Sequence, residues 1–276
     1  MSPASPRAIV DAVIVAHDAG DLLTEAVASA VEQADADHVW VIDAATTDGS
    51  VDAVRAGYPG VRVMPVANDG FAAANNRGIA ETRAPFVLLL NPDAMLLAGA
   101  LDALLRTAVA SPRAGIVGPL VLDPGAGVQD GSYGRFPTLA SVVGLRAARI
   151  WRRLFGERGS PPQAPQATTV VDWVTGAAML VRREAIDAVG LMDEGFFLYY
   201  EDVEWCHRMR DRGWQVLLEP AARVTHQRGG CAVPGAVAKK AYRDSFYRYC
   251  DLYGVWGLKA SARVGLAVRG RLGGSP

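Results

Sequence analysis

Several polar residues of types that do chemistry fall at the ends of apolar runs in this chain. The clearest run is Phe86-Val87-Leu88-Leu89-Leu90, which has no polar alternation and stops at Asn91-Pro92-Asp93. A run of this kind reads as a strand buried on both faces, and proline, which has no N–H for a sheet ladder, ends it. Asp93 is thereby placed at the carboxyl end of a central strand, where open α/β sheets bind ligands. The same aspartate also suits the N-cap of a helix expected over residues 98–109, and the local pattern leaves both readings open. A second cluster is Glu201-Asp202-Val203-Glu204, three carboxylates entered directly from the aromatic run Phe196-Phe197-Leu198-Tyr199-Tyr200. Acidic residues in a first helical turn favour the helix dipole, whereas aromatic rings beside carboxylates also form sugar or small-molecule sites. His226 follows a short apolar stretch, as a hydrogen-bonded structural histidine or as a metal ligand.

The elements that position these residues alternate strand and helix. Strands are expected over residues 9–16, 39–42, 61–66 and 86–90, with helices over 22–31 (Asp21 as N-cap), 51–55 and 71–81. Such alternation implies βαβ units and an α/β, doubly wound sheet. Each strand ends in polar residues, namely His17 and Asp18, Asp43, Asn68 and Asp69, then Asn91 and Asp93, all gathered on one sheet edge. Asp43 suits the ring N–H of a pyrimidine or guanine, and Asn76 and Arg77 suit a phosphate or ribose. The loop His17-Asp18-Ala19-Gly20-Asp21 lacks G-x-G-x-x-G, which disfavours a dinucleotide enzyme.

The second half changes character. A strand is expected over 115–121, irregular chain over 123–137 and an arginine-bearing helix over 139–155. A Gly/Ser/Pro/Gln-rich lid-like loop over 156–169 follows, then short strands over 170–173, 177–181, 214–218 and 224–226 and helices over 182–189 and 203–212. The chain divides into a nucleotide-binding half (1–120), an acceptor and catalytic half of the same domain (121–235) and a basic helical tail (236–276). Hydrophobic residues make up 50% and charged residues 21% of the 276, with a net charge of −1, so composition gives no sign of a nucleic-acid partner. Cys206, Cys231 and Cys250 have no CxxC spacing, consistent with a reduced cytoplasmic setting. No signal peptide or bilayer-spanning run is evident. Residues 255–272 are basic and amphipathic, which suits peripheral contact with the inner face of a membrane.

Six segments in order resemble the family 2 inverting glycosyltransferases, in particular the rhamnosyltransferase-like bacterial members, whose fold is of GT-A type with a mixed sheet. They are Val-Ile-Asp-Ala-Ala-Thr-Thr-Asp-Gly-Ser from Val41, Asn-Asp-Gly-Phe-Ala-Ala-Ala-Asn-Asn-Arg-Gly from Asn68 and Leu-Leu-Asn-Pro-Asp ending at Asp93. Further on come Val-Asp-Trp-Val-Thr-Gly-Ala-Ala-Met-Leu-Val-Arg-Arg from Val171, Met-Asp-Glu-Gly-Phe-Phe-Leu-Tyr-Tyr-Glu-Asp-Val-Glu from Met192 and Val-Thr-His ending at His226. The resemblance implies a nucleotide diphosphate sugar donor, best matched by dTDP-rhamnose. The acceptor hydroxyl would lie on a glycan, a lipid-linked saccharide or a natural product. By motif, Asp202 is the catalytic base, Asp93 and His226 hold Mg2+ or Mn2+, and Trp173, Gly176, Tyr200 and Glu201 line the acceptor site. His17, Asp18, Asp43, Asn68, Gly70, Asn76, Arg77 and Asn91 form the nucleotide-sugar side. Two other readings are a non-catalytic nucleotide-sugar-binding subunit and a sugar nucleotidyltransferase, the latter lacking a basic Gly-rich phosphate loop.

Overall fold

The computed structural model describes residues 10–125, 127–138, 164–227, 229, 235–257 and 259–260. Its centre is β4 (Phe86–Leu90), every residue of which is buried. β1 (Val10–Ala16) runs parallel beside it, with Val10 opposite Phe86 and Ile14 opposite Leu90. β2 (Val39–Ala44) and β3 (Arg62–Val66) extend the sheet in parallel on that side. The helices between them are α1 (Asp21–Val31), α2 (Ser50–Gly57) and α3 (Phe71–Glu81).

β5 (Ala94–Leu96) follows β4 almost at once, before α4 (Ala100–Ala110) and β6 (Ala114–Leu122). After the two-residue β7 (Tyr133–Gly134) come β8 (Thr169–Val171), β9 (Trp173–Val174) and β10 (Ala178–Arg182). α5 (Arg183–Val189), α6 (Glu201–Asp211), β11 (Gln215–His226) and α7 (Gly235–Leu252) complete the described elements. The sheet order is β3-β2-β1-β4-β10-β6-β11-β5, with β8 pairing β11. β10 lies antiparallel to both β4 and β6, so the sheet is mixed.

Side-chain alternation divides the core by sheet face. Phe86, Leu88 and Leu90 pack with Leu23 and Val27 of α1 and Leu101 and Leu104 of α4. Val87 and Leu89 face the other way, with Ile79 of α3, Ile186 of α5 and Trp205 and Met209 of α6. A continuous apolar strand is what a sheet covered by helices on both faces requires.

Three sequence expectations change. Asp93 does not cap a helix, because β5 intervenes and Gly99 occupies the N-cap of α4. Likewise Asp21 is the first residue of α1 and Gly20 its cap. The two short strands expected over 214–226 are one twelve-residue strand, β11, whose pairing with β6 shifts register between Glu219 and Arg223. Glu219 fixes that irregularity by accepting hydrogen bonds from Thr107 Oγ1 (2.7 Å), Thr168 Oγ1 (2.6 Å) and the Ala221 N–H (2.9 Å). The helix expected over 139–155, most of the lid-like loop, Cys231 and the tail beyond residue 260 lie outside the described residues. No described helix is long and apolar enough to cross a membrane.

Candidate active site

β5 is the element that assembles the first cluster. Ala94 pairs with His226 at the end of β11, so the residue before Ala94 comes beside the imidazole. Asp93 Oδ1 lies 3.2 Å from His226 Nε2, and both side chains are largely buried. The Asn91 side-chain amide lies 3.4 Å from the same nitrogen, while its own Oδ1 is buried without a hydrogen-bond partner. On the far side of the ring, His226 Nδ1 is 2.8 Å from Gln129 Oε1. A carboxylate oxygen and an imidazole nitrogen facing one space, with an orphaned amide oxygen beside them, suit a hard or borderline divalent cation. Among the described residues no three acidic, histidine or cysteine groups converge on one metal position, so this pair would hold a cation only with ligands from elsewhere.

Asp202 belongs to the second cluster, in the first turn of α6. Its Oδ2 accepts the Gly176 N–H at 2.8 Å, and its Oδ1 accepts the Val203 N–H at 2.7 Å. The clusters are stitched together at the junction of β4 and β10, where the Asn91 N–H donates to Ala177 O at 2.9 Å. A single chain of contacts therefore runs from Asp202 through residues 176–177 and Asn91 to His226 and Asp93. Burial raises the carboxyl pKa of Asp202, opposed by backbone hydrogen bonds, those from Gly176 and Val203 foremost. Glu201 is pushed well above the ordinary carboxylate range by burial and by the charge of Asp202, and its Oε2 has no hydrogen-bond partner. Both carboxyls of the pair are thus shifted upward, Glu201 by burial and by its charged neighbour, Asp202 by burial.

The entry to α6 is strained. Tyr199 and Tyr200 have φ of 70° and 68°, a left-handed conformation costly for side chains with a Cβ. Tyr200 is held there by packing at 5.4–5.5 Å between ring centroids on Tyr242, Phe246 and Tyr249 of α7. Consecutive left-handed residues turn the chain sharply enough to present Glu201 and Asp202 at a helix start. Trp173 lies partly exposed, its Nε1–H donating to Arg135 O at 3.0 Å. Gly176 is buried with the Phe71 ring and Asp202 as neighbours, a Cβ there lying 3.3 Å from Phe71 Cε1 and 3.5 Å from Asp202 Cβ.

At the carboxyl edge of the sheet, the ends of β1 and β2 are tied to each other. Asp18 Oδ1 accepts the Thr47 N–H (2.7 Å), Asp48 accepts the Gly20 N–H (2.7 Å) and Asp43 Oδ1 accepts the Thr46 N–H (2.9 Å). His17 Nδ1–H donates to Ala44 O (2.9 Å), leaving Nε2 to accept from Asn68 Nδ2 (3.2 Å). Gly70 has φ of 104° and passes so close to residue 197 that a Cβ would lie 2.5 Å from Phe197 O. The next N–H, of Phe71, donates to that carbonyl at 2.8 Å, docking the start of α3 on the aromatic run.

Asn76 has a different place from the one its spacing suggests. It is 3% exposed, its amide donates to Met192 O and Glu194 Oε1, and its Oδ1 accepts the Met192 N–H. These bonds consume its polar groups in bracing α3 against residues 192–194, so it is removed from the phosphate-binding candidates. Arg77 beside it is exposed. Glu204, a local competitor of Asp202 by sequence, is buried in a bidentate pair with Arg208 (2.7 and 2.9 Å) and accepts from the Tyr253 hydroxyl (3.1 Å). Glu204→Gln is therefore expected to lower unfolding free energy by about 1.5–3 kcal/mol, the range for a hydrogen bond to a charged group. Urea denaturation and steady-state turnover together check this, since loss of turnover without loss of stability would be the opposite outcome.

Beyond the expected residues, the structure adds Gln129, Asp123, Phe71 and the aromatic face of α7. Gln129 had no sequence signal, being a lone amide in a Gly-rich stretch, and Phe71 entered only as the start of the helix expected over 71–81 and as part of the segment from Asn68.

The order of parallel strands, the antiparallel insertion of β10 and a site along their carboxyl ends define a GT-A-type glycosyltransferase fold. Two solved structures share it. One is GalNAc-T7 with UDP, GalNAc and Mn2+ (TM-score 0.64, 16% identity, 88% of this chain and 47% of that one). The other is the mannosyltransferase PcManGT from Pyrobaculum calidifontis with GDP-Man and Mn2+ (TM-score 0.53, 19% identity, 82% of this chain and 60% of that one). The present chain thus spans about half of the first and three-fifths of the second. Residues 11–190 match the family model "Glycosyl transferase family 2", and the chain belongs to that family. It is 32% identical over 258 residues to the N-acetylglucosaminyl-diphospho-decaprenol L-rhamnosyltransferase of Mycobacterium tuberculosis, covering 85% of this chain and 82% of that protein. It is also 26% identical over 181 residues to the rhamnosyltransferase WbbL of Escherichia coli K12, covering 61% of this chain and 65% of that protein. The protein is a glycosyltransferase.

Proposed function

We propose that this glycosyltransferase moves rhamnose from dTDP-rhamnose to a hydroxyl of a lipid-linked, diphosphate-bearing saccharide, with inversion at the anomeric carbon. The observation that carries the reading is the continuous contact chain from Asp202 through Gly176, Ala177 and Asn91 to His226 and Asp93. It links a carboxylate suited to act as base at one end to an anion-neutralising pair at the other. The donor and acceptor classes are supported by the relatives titled rhamnosyltransferases, one of which names a diphospho-decaprenol substrate.

Asp43 stands at the end of β2 with one oxygen engaged by the Thr46 N–H, and its other oxygen suits the ring N–H of thymine or uracil. Asp93 and His226 hold Mg2+ or Mn2+ together with the donor diphosphate, and Asn91 Oδ1 stands beside them. When bound, the cation neutralises charge developing on the departing nucleoside diphosphate. Asp202 accepts the proton of the acceptor hydroxyl as its oxygen bonds to C1, and the C1–O bond to the diphosphate breaks with its electron pair. The Gly176 and Val203 N–H groups keep the carboxylate aimed and ionised while burial keeps it basic. The Phe71 ring, next to Gly176 and Asp202, excludes water from the same corner.

The two-residue turn at Tyr199 and Tyr200 and the face of α7 line the acceptor side. Tyr242 and Trp256, 52% and 67% exposed, suit contact with the lipid-bearing end of the acceptor or with the membrane around it. The protein incubated with Mn2+, polyprenyl-diphosphate-linked N-acetylglucosamine and a panel of nucleotide sugars should release dTDP from dTDP-rhamnose faster than diphosphate from any other donor. Equal or greater turnover with UDP- or GDP-hexoses would reassign the donor, and pyrophosphate formation from a nucleoside triphosphate would reassign the reaction.

A further inference from the structure

Gln129 is 3% exposed and lies in the segment between β6 and β7, against the back of His226. Its amide has two ends with different surroundings. Nε2 donates to Asp123 Oδ1 at 2.7 Å and to the backbone carbonyl of His226 itself at 3.0 Å. Both partners are acceptors only, so that end of the amide must be the nitrogen. Turning the amide over would set its oxygen against a carboxylate and a carbonyl. The other end is therefore Oε1, an acceptor, and the atom facing it at 2.8 Å is His226 Nδ1. Nδ1 must then carry a hydrogen. In a neutral imidazole the second nitrogen is consequently bare, and that is Nε2, the atom 3.2 Å from Asp93 Oδ1.

We propose that Gln129 is a positioning residue that locks His226 in the Nδ1–H tautomer and so presents a bare Nε2 to the divalent cation shared with Asp93. The inference rests on the reading of Asp93 and His226 as the metal pair and adds the reason that His226 can serve it. Asp123 sets which way round the Gln129 amide lies, Gln129 sets which ring nitrogen is protonated, and the ring then offers its lone pair in one direction. Such a relay also fixes the plane of the imidazole, because Gln129 grips both the ring and the carbonyl of the same residue. The backbone of Gln129 is held separately: its N–H donates to Val121 O at 2.9 Å and its carbonyl accepts from Ser132 Oγ at 2.8 Å. A change of side chain leaves those two bonds in place.

The test is Mn2+ binding to the full chain in the presence of dTDP, followed by electron paramagnetic resonance without turnover. Gln129→Leu is expected to weaken Mn2+ affinity by roughly 10–100-fold, the usual cost of removing a group that orients a metal-binding histidine. Wild-type affinity in Gln129→Leu would overturn the role. His226→Ala separates the two levels: if it binds Mn2+ like the wild type, the metal reading itself falls and this inference with it. If it weakens binding while Gln129→Leu does not, only the positioning role falls. A measurement on the unaltered protein needs no variant to fold. At alkaline pH the 15N shifts of the His226 ring should show Nδ1 protonated and Nε2 bare, and the reverse tautomer would overturn the proposal.

Discussion

Asp202→Asn is expected to lower turnover by roughly 10²–10⁴-fold, the range for loss of a general base, with donor affinity kept within a few-fold. The asparagine keeps one acceptor for the Gly176 N–H and cannot take a proton from an acceptor hydroxyl. The pH profile gives an independent signature. Burial raises the Asp202 carboxyl above its ordinary value of 3.8, and the group works only when ionised. The rate therefore falls as pH drops through that raised value, and the acid limb lies at higher pH than for an exposed aspartate. Asp202→Asn should remove that limb from the residual activity. Its neighbour Glu201 is likewise raised, by burial and then by the charge of Asp202. A variant at position 202 that retains near wild-type turnover would assign the base elsewhere.

Asp93→Ala is expected to reduce turnover by more than about 100-fold, since a cation on a leaving diphosphate supplies several kcal/mol at about 1.4 kcal/mol per factor of ten. As two protein ligands only, Asp93 and His226 would bind the ion chiefly with nucleotide diphosphate present. Isothermal titration of Mn2+ into the protein, with and without dTDP, should show strong binding only in the ternary case. In Asp93→Ala that nucleotide-dependent binding should disappear, and excess chelator should abolish wild-type turnover. Undiminished activity in chelator would remove the ion from the reaction. The chain should remain folded in this variant, because the Ala94 N–H to Asn91 O and Gln227 N–H to Asp93 O bonds, which shape the turn into β5, involve backbone alone.

How much of this was legible beforehand follows from the range over which each interaction acts. The strands β1 to β4 and helix α3 are written in local periodicity. An apolar run such as 86–90 can only satisfy its side chains between two layers of helix, and α3 appears at the residues its pattern specifies. The placement of Asp43, Asn68 and Asn91 on one sheet edge follows from parallel winding alone. Asp202 at a helix start, beside aromatic residues, was equally readable from its neighbours in sequence.

Other features depended on contacts between distant segments. β5 is three residues long and gains its strand character only by pairing with Val224, Thr225 and His226, which local pattern cannot announce. That pairing brings Asp93 to His226 and excludes its role as a helix cap. Asn76 and Arg77 are neighbours of similar promise in sequence, yet one is buried against residues 192–194 and the other faces solvent, a choice made by the rotation of α3 under its loop. Gln129 is 97 residues from His226, and its meaning lies in which of its two ends meets a carboxylate. Local spacing determines the type of each element and the edge on which its polar end falls. The partner of each polar atom was decided only by tertiary packing, because a hydrogen bond forms over about 3 Å of space, however far apart its ends lie in the chain.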